Sequence, residues 1–283
     1  MTSKFRTLVI AFAFLAVNVS SEVLQIEDGI IDGTTMTTRS GDIFQAFLNI
    51  PYAEPPTGEL RFKPPQPAKP WTGTRLAKEP GPFCMQGALM QIENQNEDCL
   101  QLNVFTKSTS GQNLPVIVYI HGGAWEIGSG ADTNPVLMME RDVVFVSINY
   151  RLGAFGFLSV GTLDAVGNQA QKDQVLALQW VQKNIKHFGG DSNRVTIMGM
   201  SAGAHSTSAL VISPMSKDLF HGAIIQSGGI TWQMDLENDY LETAQNLAKA
   251  VNCTTANIAD MVKCLREVNL ILFRRFMKLK KKN

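Results

Sequence analysis

Four short apolar runs punctuate the middle of the chain, and each ends on glycine or a polar cluster. Val116-Ile-Val-Tyr-Ile120 stops at His121-Gly-Gly, and Val143 to Ile148 stops at Asn149-Tyr-Arg151. Val195 to Met198 stops at a serine set between glycines, and Ala223-Ile-Ile-Gln226 stops at Ser227-Gly-Gly229. Runs that are apolar at consecutive positions describe strands buried on both faces, which implies a mostly parallel central sheet covered by helices. Between the second and third runs, Val175, Leu178, Val181 and Ile185 recur at helical spacing. That spacing predicts a helix over 173–186, ended by Gly189-Gly190. Strand, helix, then strand–turn–helix is α/β order.

The flanks follow other patterns. Glu22 to Ala53 holds alternating β-prone stretches broken at Asp28-Gly29 and Asp32-Gly33, predicting hairpin strands. Seven prolines from Pro51 to Pro70 exclude regular structure there. Tyr52, Leu60, Phe62 and Trp71 interleave with them, so a loop packed onto the core is expected in place of a linker. Ile258, Met261, Val262 and Leu265 return to helical spacing. From Val268 to Lys282 the text becomes an apolar patch with a basic tail; readthrough into non-coding sequence or an alternative exon is expected, an amphipathic membrane-surface helix is the alternative, and no strong membrane signal remains beyond the N-terminus.

Composition narrows the class. The 283 residues are 45% hydrophobic with a formal net charge of zero, which suits a globular protein with one large core or two small ones. A neutral balance supplies no basic excess to displace counterions, so nucleic acid is not expected as a partner. Met1 to Ser21 has the form of a secretory signal: Lys4 and Arg6, an apolar run from Leu8 to Val17, then Ser20 and Ser21. The run is too short to span a bilayer, and an N-terminal anchor is the alternative. Export suits the four cysteines, which fall into two local pairs by sequence, Cys84 with Cys99 and Cys253 with Cys264. Closing the first loop contributes ~3 kcal/mol in the chain-entropy model; free buried thiols are the other reading. Asn252-Cys-Thr254 is a glycosylation sequon.

The chemistry centres on Gly199-Met-Ser201-Ala-Gly203, placed directly after the third strand. A tight strand-to-helix turn holds a serine hydroxyl above the sheet edge, and the two glycines remove side chains that would clash in that turn. Ser201 then needs a base and donors for an oxyanion. His121-Gly-Gly-Ala124 follows a strand and can aim backbone N–H groups at a developing negative charge. Ala202, directly after the serine, supplies another.

Glu97-Asp-Cys-Leu-Gln-Leu-Asn-Val104, His121-Gly-Gly-Ala-Trp125, Asn149 to Leu158 and Phe188 to Gly203 together resemble the type-B carboxylesterases, the cholinesterase-like branch of the α/β-hydrolase fold. The resemblance covers about Val23 to Leu265. It implies an acyl-enzyme on Ser201, an oxyanion hole from the N–H groups of Gly123, Ala124 and Ala202, and disulfides Cys84–Cys99 and Cys253–Cys264. No metal and no cofactor are implied, and the partner is a small-molecule ester. Ala124 replaces the commoner third glycine, and Met200 stands where many relatives carry glutamate. The loop between Cys84 and Cys99 holds no aromatic residue to receive a quaternary ammonium. These departures argue against acetylcholine and for apolar acyl or alcohol groups, close in kind to the juvenile-hormone and detoxifying esterases of invertebrates.

The family presents its triad in the order serine, acid, histidine, well downstream of the serine. Only 82 residues follow Ser201 here, and the four histidines are His121, His187, His205 and His221. His205, one turn along the serine's helix, is expected to be packed or capping, and Asp235, Glu237 and Asp239 come too early for the acid. The expected organisation is a signal at 1–21, the N-terminal portion of a carboxylesterase domain at 22–267, and a tail outside the family at 268–283. On that reading the C-terminal part of the fold is missing, the Ala223–Gln226 strand is an open apolar edge, and turnover is lost with the base. A non-catalytic, cholinesterase-like binding or adhesion protein is the alternative, and another serine hydrolase such as a lipase or thioesterase is a third.

Overall fold

The computed structural model describes residues 21–87, 93–230, 239–270 and 273. The expected signal before Ser21, the acids Asp235 and Glu237, and the tail past Leu270 other than Phe273 lie outside the described residues.

The described residues open with two hairpins. Strands β1 (Val23–Ile26) and β2 (Gly29–Asp32) are joined by a turn at Glu27-Asp28, and β3 (Thr34–Thr37) pairs antiparallel with β4 (Ile43–Pro51). The proline-rich segment then packs as a loop: Tyr52 and Phe62 are buried, the Tyr52 hydroxyl donates to the Asn149 carbonyl at 2.7 Å, and Trp71 Nε1 donates to the Ile30 carbonyl at 2.9 Å. Strand β5 (Thr74–Leu76) returns along β2, and β6 (Phe83–Cys84) and β7 (Gln95–Asn96) make a two-residue pair beside the first disulfide.

The central sheet is completed by β8 (Gln101–Thr106), β9 (Leu114–Ile120) and β10 (Val144–Ile148). After helix α1 (Gly153–Phe157), the small hairpin β11 (Ser159–Thr162) and β12 (Ala165–Val166), and helix α2 (Gln169–Asn184), come β13 (Gly190–Met200), helix α3 (Ala202–Ile212) and β14 (Gly222–Gln226). The sheet has seven strands in the order β14-β13-β9-β10-β8-β4-β3. It is parallel from β14 to β10 and antiparallel from β10 to β3.

Burial departs from the two-sided pattern expected of these strands. All of β10 is buried, but β9 alternates: Leu114, Val116, Val118 and Ile120 are buried, while Ile117 and Tyr119 are half-exposed. The buried row meets Val175, Leu178 and Val181 of α2 in the main core. The opposite face is covered only in part, where Met139 packs with Phe44, Phe105 and Phe145. Ile224 and Ile225 on β14 are 41% and 43% exposed, so the last strand is an apolar edge. A run of apolar residues states which faces seek cover, and the neighbouring elements decide which faces receive it.

A second core lies away from the sheet. Helices α4 (Tyr240–Ala250) and α5 (Ile258–Glu267), tied by Cys253–Cys264 with Cα atoms 5.7 Å apart, pack Leu247, Met261, Val262 and Leu265 against Phe62 and Phe155. Phe273, inside the stretch expected to lie outside the domain, is fully buried here, 5.1 Å from the Phe155 ring centroid and 6.0 Å from that of Phe62. Burying such a ring contributes ~2 kcal/mol. Asn252 is exposed between α4 and the second disulfide. No helix among the described residues is long and apolar enough to cross a membrane.

Candidate functional site

Ser201 occupies the single residue between β13 and α3. Its backbone has φ 56° and ψ −122°, a region that costs a non-glycine residue about 1–3 kcal/mol. Three hydrogen bonds hold it there. Its N–H donates to the Gln226 carbonyl at 2.9 Å, and its carbonyl accepts from Ala204 at 2.8 Å and His205 at 3.0 Å. The flanking glycines are required by close approach: a Cβ on Gly199 would collide with the Gly203 carbonyl, and one on Gly203 with the Ile120 carbonyl. The side chain of Ser201 is exposed.

The loop after β9 lies against this bend. A Cβ placed on Gly122 would sit 3.2 Å from that of Ser201. Carbonyl contacts orient the loop's peptide units. His121 Nδ1 donates to the Gly122 oxygen at 2.8 Å, and the N–H groups of Glu126 and Ile127 both reach the Gly123 oxygen at 3.0 Å. In a trans peptide the N–H points opposite to the C=O, so the Gly123 and Ala124 N–H groups face away from those bonds. Ala124 and Trp125 adopt φ of 54° and 55°, so alanine here takes on left-handed strain of about 1 kcal/mol that a glycine escapes. Ala202 opens α3, where first-turn N–H groups have no partner within the helix.

The Asn149-Tyr-Arg151 stretch braces the loop. Tyr150 stacks on the His121 ring with centroids 4.3 Å apart, and its hydroxyl donates to the His121 carbonyl at 2.6 Å. Asn149 Oδ1 accepts from the Gly130 N–H at 2.8 Å and the Ser129 hydroxyl at 2.9 Å. Arg151 grips Asp173 with two guanidinium contacts of 2.6 and 2.8 Å. Burial raises the Asp173 carboxyl above its ordinary range, against the pull of Arg151. A matching buried pair joins Arg61 to Glu97 at 2.6 and 2.7 Å, and Arg61 also donates to the Leu265 and Val268 carbonyls. Glu97, Asn149, Tyr150 and Arg151, all inside the stretches that carry the resemblance, hold the scaffold.

The histidines are each engaged elsewhere. Burial pushes His121 down to about 4, so the ring is neutral with its proton on Nδ1. His187 Nε2 lies 3.3 Å from Glu27, and His221 Nδ1 faces the Val195 N–H at 3.4 Å. His205, one turn beyond Ser201, packs against Trp125 at 5.6 Å, and its Nδ1 accepts from Gly229 at 3.4 Å. Beside the loop, an open cavity of about 480 Å³ is lined by Tyr119, His121, Gly122, Met138, Met198 and Met200, among others. Cys84 and Cys99 are bonded, with Cα atoms 5.0 Å apart. Among the described residues no group of three or more His, Cys, Asp or Glu could hold a metal ion.

Comparison with known proteins identifies the family and the fold. A sequence model described as the carboxylesterase family matches residues 20–280. The chain belongs to the carboxylesterase family. Among its family relatives, Esterase E4 of Myzus persicae is 44% identical over 252 residues, covering 86% of this chain and 46% of that protein. Pyrethroid hydrolase Ces2a of Mus musculus is 44% identical over 246 residues, covering 81% and 43%. The solved structure of juvenile hormone esterase from Manduca sexta superposes with a TM-score of 0.85 at 31% identity, over 90% of this chain and 50% of that one. This carboxylesterase-family chain therefore has the α/β-hydrolase fold, and it spans about half the length of the relatives it matches.

Proposed function

We propose that this chain carries the nucleophile and oxyanion hole of a serine carboxylic ester hydrolase. Ser201 attacks the ester carbonyl, the alcohol leaves, and the acyl group remains on the serine until water releases it. The N–H groups of Gly123, Ala124 and Ala202 receive the negative charge of the tetrahedral intermediate. The observation that carries this reading is the strained Ser201 bend with the Gly122 loop packed beside it. The Cys84–Cys99 loop offers no aromatic ring to a quaternary ammonium, which favours an apolar acyl or alcohol group. Two formed disulfides, a sequon at exposed Asn252 and the signal-like N-terminus support a secreted protein.

The four imidazoles are committed to other contacts, so we further propose that the 283-residue chain alone turns esters over slowly. Loss of the base in a serine hydrolase costs about 10⁶-fold. The test is a p-nitrophenyl ester assay on the chain and on Ser201→Ala, with mass-spectrometric detection of fluorophosphonate attachment. The expected result is slow attachment at Ser201, absent in Ser201→Ala, with turnover near background. Attachment that survives Ser201→Ala refutes the nucleophile assignment. Serine-dependent turnover at about 1–10³ s⁻¹ refutes the missing base.

A further inference from the structure

Gln86, in the loop closed by Cys84–Cys99, reaches the Gly122 loop. Gln86 is fully buried. Its Oε1 accepts the Gly128 N–H at 3.0 Å, and its Nε2 donates to the Gly128 carbonyl at 3.1 Å and the Cys84 carbonyl at 3.0 Å. Its own N–H donates to Gln95 Oε1 at 3.1 Å. A side-chain amide thus engages both polar groups of one residue, as a neighbouring strand would. Gly128 is in turn packed onto the start of the loop. At φ 112° it leaves no room for a Cβ, which would lie 2.5 Å from His121 Nδ1 and 2.7 Å from the Gly122 oxygen.

We propose that Gln86 is a positioning residue that couples the Cys84–Cys99 disulfide to residues 121–128 and so fixes the Gly123 and Ala124 N–H groups. The inference rests on the reading of residues 122–124 as the oxyanion loop. The chemistry requires an amide. Gly128 presents a donor and an acceptor, and only a group that accepts and donates from adjacent atoms satisfies both. An ionised carboxylate serves the N–H and repels the two carbonyl oxygens. A thioether fills the volume and serves neither. The chain of contact runs from the disulfide through Gln86 to Gly128, then to His121 and Gly122, whose peptide unit contains the Gly123 N–H. Leaving the half-buried Gly128 groups unpaired frees the loop's far end, and the Glu126 and Ile127 bonds to Gly123 open with it.

Amide hydrogen exchange on the full chain tests this, in the wild type, Gln86→Met and Gln86→Glu. The reporters are the Glu126 and Ile127 amides, which bond to Gly123 and do not touch Gln86. In Gln86→Met their exchange should rise about tenfold, the scale of one lost hydrogen bond, while the Val118 and Ile120 amides of β9 stay unchanged. In Gln86→Glu the rise should appear at neutral pH and shrink on acidification, because a protonated carboxyl again donates and accepts. That rescue also decides the matter if Gln86→Met fails to fold. Unchanged reporters in both variants, or reporters that rise together with β9 and show no rescue, overturn the proposal. Fluorophosphonate attachment at Ser201, measured alongside, should slow in both variants. If the wild type is never labelled while the exchange pattern holds, the nucleophile reading fails and the coupling stands.

Discussion

Acidification should destabilise this chain through His121, and the structure sets the size and direction of the effect. The ring is 5% exposed, stacked on Tyr150, and its Nδ1 proton is committed to the Gly122 carbonyl. Burial lowers it from 6.5 to about 4, opposed only by that carbonyl bond. Between these values the unfolded chain binds a proton that the folded chain refuses. Stability is therefore full above pH 6.5 or so, falls as the pH drops through the window, and levels out below about 4. A depression of this size corresponds to ~3 kcal/mol when the window has been crossed. Urea unfolding, followed by tryptophan fluorescence at a series of pH values, measures it. His121→Asn is the comparison: the amide keeps a donor near the Nδ1 position and cannot titrate. Glu27 and Glu54, whose carboxyls are held below the ordinary range by hydrogen bonds from Lys186 and Lys69, affect both proteins alike. The difference between the two curves isolates the imidazole. Parallel curves from about pH 4 to 6.5 would refute the argument, as would a wild type that gains stability relative to the variant on acidification.

Other substitutions probe the scaffold. Asp173→Asn leaves Arg151 charged and buried without its partner, so a loss of ~3–5 kcal/mol in denaturant unfolding is expected; a loss under about 1 kcal/mol contradicts a buried pair. Gly203→Ala forces a Cβ against the Ile120 carbonyl and should abolish the fixed aromatic near-ultraviolet dichroism, whereas Ala209→Gly further along α3 should cost only about 1 kcal/mol. Ile225→Lys on the exposed β14 edge should lower light scattering on standing without lowering the unfolding midpoint; unchanged scattering would show that the edge is not the site of association.

The parallel half of the sheet, the α2 helix and the serine turn were legible in the sequence because each has a local signature. Consecutive β-branched residues mark the strands, a 3.6-residue repeat marks α2, and glycines two positions either side of Ser201 mark the bend. What the sequence could not show is how neighbours share out cover. Tyr119 and Met198 belong to apolar runs indistinguishable from those of β10, yet they face an open cavity because helix α2 packs on the other side. Phe273 sits in a stretch expected to fall outside the domain and is buried because Phe62 and Phe155 leave a ring-sized place for it. Gln86 looked like one more polar residue in a polar loop. Its task appears only when Gly128 is seen beside it, and no periodicity carries that information.

The central claim is that three backbone N–H groups converge beside the Ser201 hydroxyl. A crystal structure of the chain after prolonged exposure to a fluorophosphonate tests it most directly. The account predicts phosphorus bonded to Ser201 Oγ, with the phosphoryl oxygen about 2.7–3.1 Å from the nitrogens of Gly123, Ala124 and Ala202. A phosphoryl oxygen turned to solvent, with those amides bonded elsewhere, would contradict it.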